Sequence, residues 1–420
     1  MTPPIVVHEH ESTTVPDLSA DIARTFEATG AVKVSRDLEG AVCLAASSVV
    51  GVVCAGDVEL RIRPKVGVGR LLWLVGHASD QKGWRDDDVD LAETDYLVTG
   101  LAVAFTHRAG RALAAGVLRG YQPVAETSPV LRGRLREADQ LRARLGRVYP
   151  LEVGYDDYTA DIPENRILLS ATRRVLRLPG IPAATRAALH RLNVGLAEVT
   201  PLPAGLRAPA TPETRLNRRY QPALRLARLV LDHRGLDMPS ADGPTGPTLA
   251  ATGFLFDMNR VYEDWLTAVL RTALEHHGGA VEGQKVIRLD EAGKLAPRPD
   301  ITWWHGDHCA AVLDAKYKAP SKGFPSEDVY QLIAYCTALN LPEGHLIYAG
   351  GTPDVHVIRG QGPRIHVHVL DLARDPTNLL QQIDRLAGRV AHSSMRTPAF
   401  SPDFYHVDRS RRSHGRGSTH

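Results

Sequence analysis

The stretch Arg298–Lys318, RPDITWWHGDHCAAVLDAKYK, decides the fold of the C-terminal part of the chain. Ile301–His305 is β-branched and aromatic, which suits a strand. Gly306-Asp307 is turn chemistry, and Ala310–Tyr317 reads as a second strand with Val312 and Leu313 apolar. Asp300 stands just before the first strand. Asp314 and Lys316 lie on the second, two apart and so on one face. A hairpin brings Asp300 beside them. Two neighbouring carboxylates repel each other, and a hard divalent cation relieves the repulsion; Mg²⁺ typically takes one or two carboxylates plus water and phosphate. Such a cation polarises a phosphodiester and lowers the pKa of a bound water. A lysine two residues on is placed to orient or deprotonate that water, or to neutralise transition-state charge. The same D-x-K pattern also fits an ordinary strand pair with a surface Asp–Lys contact.

The flanks favour the chemical reading. Gly253–His277 is expected as one amphipathic helix, with Phe254, Val261, Trp265, Ala268 and Val269 at helical spacing and Glu263 beside that face. Val286–Asp290 is expected as a strand. Ser326–Asn340 is expected as a helix with Ser326 as its N-cap, Asp328 in its first turn, and Gln331 and Tyr335 four apart on one face. His345–Gly350 reads as a short buried strand. The order is helix, strand, strand, strand, helix, strand.

That αβββαβ order, with Pro299-Asp300, then Asp314-Ala315-Lys316, then Gln331 and Tyr335, resembles the PD-(D/E)xK nuclease superfamily. Thirteen residues separate the two aspartates. Within it, Asp314–Lys318 (DAKYK) and Tyr330–Tyr335 (YQLIAY) resemble the McrC family, the nuclease subunits of McrBC modification-dependent restriction systems. Leu131–Leu135 (LRGRL) and Asp161–Leu168 (DIPENRIL) resemble the same family, and the likeness runs from about Arg61 to Leu372. The resemblance implies Asp300, Asp314 and Glu263 as metal ligands, and Lys316 and Gln331 as further catalytic residues. Tyr335 and Lys318 read as structural support or phosphate contact, and Gln331 reads either as completing the site or as a helix-surface glutamine. The resemblance implies Mg²⁺, with Mn²⁺ as a substitute, double-stranded and methylated DNA as substrate, and a separate McrB-like AAA+ NTPase using GTP or ATP as partner.

Composition sets the frame. The chain has 420 residues, 43% hydrophobic and 23% charged, with a net charge of +2, which implies a globular protein of two or three domains. A near-neutral balance confines any DNA contact to local patches or to a partner. No apolar run reaches the roughly 18 residues of a membrane helix, and MTPPIVVHEHEST carries no secretory signal. Cys43, Cys54, Cys309 and Cys336 are scattered, which argues against a zinc ribbon and for a reducing cytoplasm. His305, Asp307, His308 and Cys309 are too tightly spaced for a zinc site. The absence of a G-x-x-x-x-G-K-[ST] loop means that no nucleotide is expected on this chain.

The expected organisation is multidomain α/β. Residues 1–67 form a β-rich N-terminal region, in which Leu60 and Ile62 alternate with Arg61 and Arg63. Residues 68–236 form a helical partner-docking domain, 237–251 a Pro/Gly-rich linker, 252–395 the PD-(D/E)xK nuclease-like domain, and 396–420 a basic tail expected to be disordered. In the middle region Asp80–Asp90 reads as an acidic loop and Tyr121–Leu135 as an extended hairpin. Pro163 and Glu164 start a helix that Asp161 is placed to cap. Arg132, Arg134, Arg136, Arg142, Arg144 and Arg147 form either a phosphate- or partner-binding patch or a solvated helix face.

Two functions of different class follow. The first is a metal-dependent endodeoxyribonuclease subunit that docks on and stimulates an AAA+ partner. The second is an adaptor of that partner with little or no nuclease activity. A nuclease of this fold acting alone in repair is a third.

Overall fold

The computed structural model describes residues 3–79, 97–144, 147–203, 208–232, 234–238, 241–243, 246–290, 292, 294–318, 326–360 and 362–396. The acidic loop and the basic tail lie outside the described residues. The chain divides into two compact units, residues 1–268 and 269–420.

The first unit opens with β1 (Ile5–His8), β2 (Ser12–Val15), α1 (Ala20–Ala28), β3 (Val32–Arg36), β4 (Val42–Ala46), β5 (Val49–Ala55) and β6 (Val58–Arg63). The alternation expected in β6 is real: Val58, Leu60 and Ile62 are buried, and Glu59, Arg61 and Arg63 are half-buried. Strands β2, β4 and β3 form a small antiparallel sheet. Helices α2 (Val68–Ser79) and α3 (Leu97–Leu113) follow.

The middle region is not purely helical. The strand begun at Tyr121 does not fold back within 121–135. Instead β7 (Gly120–Ser128) pairs along its whole length with β9 (Leu151–Thr159), and the short β8 (Arg134–Leu135) joins the other edge of β9. Between β8 and β9 lies α4 (Glu137–Arg144). Gln140 closes this excursion: its Nε2 donates to the carbonyls of Arg147 and Pro150, and its Oε1 accepts from Glu152 N at 2.7 Å. Then come α5 (Pro163–Leu176), α6 (Ala183–Gly195) and α7 (Gln221–Asp232). Pro163 does start α5, but Asp161 does not cap it. Asp161 accepts two bonds from the Arg166 guanidinium and two from Thr200, so a tertiary demand displaces the local one.

Among the described residues, the Pro/Gly-rich segment 237–251, expected as a linker, is mostly strand. β10 (Arg234–Met238), β11 (Ala241–Gly243), β12 (Gly246–Thr248) and β13 (Ala251–Asp257) follow one another. They complete a five-stranded sheet in the order β1-β6-β5-β13-β10, with β11 and β12 as a separate ribbon. Phe254 therefore lies on a strand and not on the following helix. Its segment pairs antiparallel with β5, and α8 (Met258–Glu275) begins only after Asp257.

The second unit carries the quoted stretch. β14 (Ala280–Gly283), β15 (Ile301–His305), β16 (His308–Lys316), α9 (Ser326–Ala338), β17 (Glu343–Tyr348), β18 (Asp354–Val357), β19 (Arg364–Val369) and α10 (Pro376–Arg396) follow in order. The strands form one mixed sheet, β14-β15-β16-β17-β19-β18. The first strand is 280–283 rather than 286–290, because Ala280–Gly283 pairs with β15 while the described residues of 284–290 and 294–300 bond to each other as the two legs of a hairpin. Gly306 makes the β15–β16 turn at φ +62°. One face of the sheet packs on α9: Val312, Leu332, Tyr335, Cys336, Leu346, Tyr348, Ile365 and Val367 form a buried cluster. Gly344 allows this close approach. A Cβ there would lie 2.6 Å from Cys336 Sγ and 2.9 Å from Leu332 Cγ.

Along this sheet His345, His366 and His368 stack with ring centroids 5.2–6.1 Å apart. His345 Nδ1 and His368 Nε2 share one hydrogen bond of 3.1 Å, and His366 contacts Glu343.

Candidate active site

The hairpin does what its spacing predicts. Ile301 pairs with Leu313, so Asp300 enters the sheet beside Asp314. Asp300 Oδ2 accepts from Ala315 N at 2.8 Å, and Oδ1 accepts from Gln284 Nε2 at 2.9 Å. Gln284 reaches it from just past β14 with φ +53°, an unusual conformation for a residue with a side chain. Such conformations cost of order 1–3 kcal/mol and persist where the surroundings hold them.

Asp314 is 2% exposed. Its Oδ2 lies 2.6 Å from Lys316 Nζ. Burial, and then the neighbouring Asp300 carboxylate, push its carboxyl up to about 7. Burial opposes the charge on Lys316, but Asp314, Asp328 and Asp300 outweigh it and hold the ammonium charged. That ammonium also donates to Gln331 Oε1 at 3.2 Å, and Gln331 Nε2 donates to Tyr335 OH at 2.9 Å. The helix α9 thus presents Gln331 and Tyr335 to the end of β16 as their four-residue spacing requires.

The second unit therefore brings together Asp300, Asp314, Lys316, Gln331 and Tyr335. Lys318 is exposed just beyond β16. Glu263 lies in the first unit, half-buried on α8.

A family model for McrBC 5-methylcytosine restriction system components matches residues 44–349. The chain belongs to that family. The match takes in Asp300, Asp314, Lys316, Gln331 and Tyr335; it reaches back past Arg61 and stops before β18. No curated protein matches the chain. Among solved structures, a chain of the refined half-complex from the tetradecameric assembly of Thermococcus gammatolerans McrB AAA+ hexamers with bound McrC is similar in fold. It has 19% identity and a TM-score of 0.58, with 92% of this chain and 100% of that one covered. A chain of the cryo-EM structure of the T. gammatolerans McrBC complex is 20% identical at a TM-score of 0.40, over 65% of this chain and 88% of that one. The McrC resemblance carried by the DAKYK and YQLIAY segments stands.

One residue of this McrBC family member escapes a reading of the sequence alone. Asp328, buried in the first turn of α9, has Oδ1 3.5 Å from Lys316 Nζ, while its Oδ2 accepts from Tyr348 OH at 2.8 Å. Burial, and then this bond to Asp328, push the Tyr348 phenol far up, so it stays a donor. The available signal is position: Asp328 precedes Gln331 by three and so shares its helix face.

The donors at the site suit a hard cation. Asp300 and Asp314 offer carboxylate oxygens, and burial, then repulsion by Asp300, raises the Asp314 carboxyl. Among the described residues no group of three or more His, Cys, Asp or Glu side chains is disposed to hold a metal ion. A two-carboxylate site is the pattern Mg²⁺ uses when water and phosphate complete its shell.

Proposed function

We propose that this chain is the metal-dependent endonuclease subunit of a McrBC-type restriction complex, cutting phosphodiester bonds in methylated double-stranded DNA. The observation that carries the reading is the fixed Asp300 carboxylate beside the buried Asp314–Lys316 pair. Asp300 and Asp314 would hold the divalent cation, which when bound polarises the scissile phosphodiester and acidifies a water. Lys316, aimed by Asp314, Gln331 and Asp328, neutralises charge developing on the phosphoryl oxygens. Ala315 N and Gln284 keep the Asp300 carboxylate in one orientation before substrate arrives.

The first unit is proposed to dock on an McrB-type AAA+ partner. Support comes from the β7–β9 region, whose Tyr121, Val130, Leu131, Val148, Tyr149 and Tyr158 are exposed. The structural relative is itself described as McrB AAA+ hexamers with bound McrC.

The test is cleavage of methylated and unmethylated plasmid by the full chain with the McrB-type subunit of its system, Mg²⁺ and GTP or ATP, with Asp314→Ala in parallel. Cutting that needs metal, nucleotide and Asp314 supports the nuclease. Stimulation of the partner's NTPase by both proteins without cutting by either supports the adaptor reading instead.

A further inference from the structure

The hairpin 284–300 has a base, two legs and an unspent charge. At its base Gln284 N donates to Asp300 O at 3.1 Å, and the Gln284 amide holds the Asp300 carboxylate. Lys285 ties the base to the sheet, 3.0 Å from Glu282 and 3.7 Å from the Trp304 ring centre. Ile287 N donates to Pro297 O and Leu289 N to Leu295 O, at 3.0 and 2.9 Å. Near the tip Asp290 Oδ1 accepts from Leu295 N at 2.7 Å. Ile287 is buried, so the outgoing leg is anchored.

Arg288, Lys294 and Arg298 are exposed on this frame. Side chains alternate along extended backbone, so Lys294 and Arg298 share one face of the returning leg. The bonded pairs 287–297 and 289–295 set Arg288 opposite Ala296, on that same face. Along the returning leg the charges span about 13 Å, at about 3.3 Å per residue. One DNA strand presents a phosphate every 3.4 Å or so of axis, so that span meets several. Among the described residues none of these three cations has a carboxylate within ion-pair distance. Three of the four arginines of 132–142 differ: Arg132 pairs with Asp157, and Arg136 and Arg142 both pair with Asp139.

We infer that the hairpin 284–300 is a DNA-backbone-gripping arm, with Arg288, Lys294 and Arg298 contacting phosphates next to Asp300. The inference rests on the nuclease reading for the purpose of the arm. The arm and the site share the Gln284–Asp300 pair, so a phosphate backbone lying on the arm is delivered beside the Asp300 carboxylate.

The experiment is equilibrium binding of the full chain to a labelled 30-base-pair duplex in EDTA, titrated across 25–200 mM salt. The proteins are wild type, each single glutamine variant, and the triple variant Arg288→Gln, Lys294→Gln, Arg298→Gln. Removing one cation from a phosphate should make the log–log salt slope shallower by about 0.9. The triple variant should therefore show a slope shallower by between about 2 and 3, and bind at least tenfold more weakly at the lowest salt. The single variants, each a surface change that leaves the hairpin's backbone bonds intact, should each shift the slope by about 0.9. A triple variant with the wild-type slope overturns the inference, and so does a wild type that fails to bind the duplex at 25 mM salt. The readout needs neither metal nor cleavage. A shallower slope together with a wild type that never cuts would keep the arm and discard the nuclease.

Discussion

Two stretches of this chain are rich in cations, and they spend their charge differently. Residues 132–147 hold six arginines, the denser run in the sequence. There Arg132 sits 3.9 Å over the Tyr155 ring and pairs with Asp157, while Arg136 and Arg142 converge on Asp139. The hairpin 284–300 holds four cations, and among the described residues only Lys285 is engaged by a neighbouring carboxylate. The sparser stretch thus has the smaller share of its cations tied to carboxylates among the described residues. Charge density along a sequence says how many cations there are. Only the fold says which have been neutralised at home. The candidate site makes the complementary point, since Asp314 and Asp328 are buried and the half-buried Lys316 reaches both of them.

The sharpest separation between arm and site is Asp314→Ala. Cleavage should fall at least about 1,000-fold, about 4 kcal/mol of transition-state stabilisation, while the salt slope of duplex binding stays at the wild-type value. Plasmid nicking and the binding titration, run on one preparation, read both. Asp328→Asn should come next, with kcat down between about 10- and 100-fold, or about 1.4–2.7 kcal/mol, KM unchanged and the melting temperature within a few degrees. Melting that drops in step with kcat would make Asp328 merely structural.

Acid should weaken the second unit through its histidines. Burial, then His368, His366 and Arg389, hold His345 well below its ordinary value. Burial, then Arg389 and His366, push His368 down to about 3. Glu343 is the acidic neighbour, and it faces His366. A depressed histidine stabilises the fold above its unfolded value near 6.5, and that contribution is lost as pH falls toward the folded value. The loss reaches up to about 1.4 kcal/mol per pH unit for each histidine. Asp314, being raised, works in the opposite direction, so the informative quantity is the difference between wild type and His368→Gln in denaturant melts from pH 7 to 5. That difference should shrink as pH falls; a constant one would discount the imidazoles. The smallest effect belongs to the other arginine-rich stretch. Arg132→Gln with Arg136→Gln should cost less than about 1 kcal/mol, as exposed pairs do, and leave the salt slope unmoved. A flattened slope there would reverse the contrast between the two stretches.

The candidate site is legible in the sequence because it is local. Turn chemistry at Gly306, alternation in β16 and the four-residue spacing of Gln331 and Tyr335 each need only near neighbours in sequence. What stays hidden depends on distant partners. The strand at Phe254 reads as the start of a helix until β5, some two hundred residues earlier, claims it. β7 looks like half of a tight hairpin, but its partner begins only at Leu151. The Pro/Gly-rich segment reads as a linker, yet β10 is an edge strand and β11–β12 an isolated ribbon, where such residues are tolerated. Asp328 looks like a helix-start acid until Lys316 and Tyr348 close on it.

Gly344 sets a clearance. Across from it α9 presses on β17 with room for a hydrogen and no more. Gln331 and Asp328 ride on that helix, and their reach to Lys316 and Tyr348 is fixed by hydrogen bonds of 3.2 and 2.8 Å. A methyl at position 344 would have to lift the helix by a fraction of an ångström, and such bonds have little slack to take it up. The aim of the lysine is therefore machined, in part, by a residue that touches neither substrate nor charge.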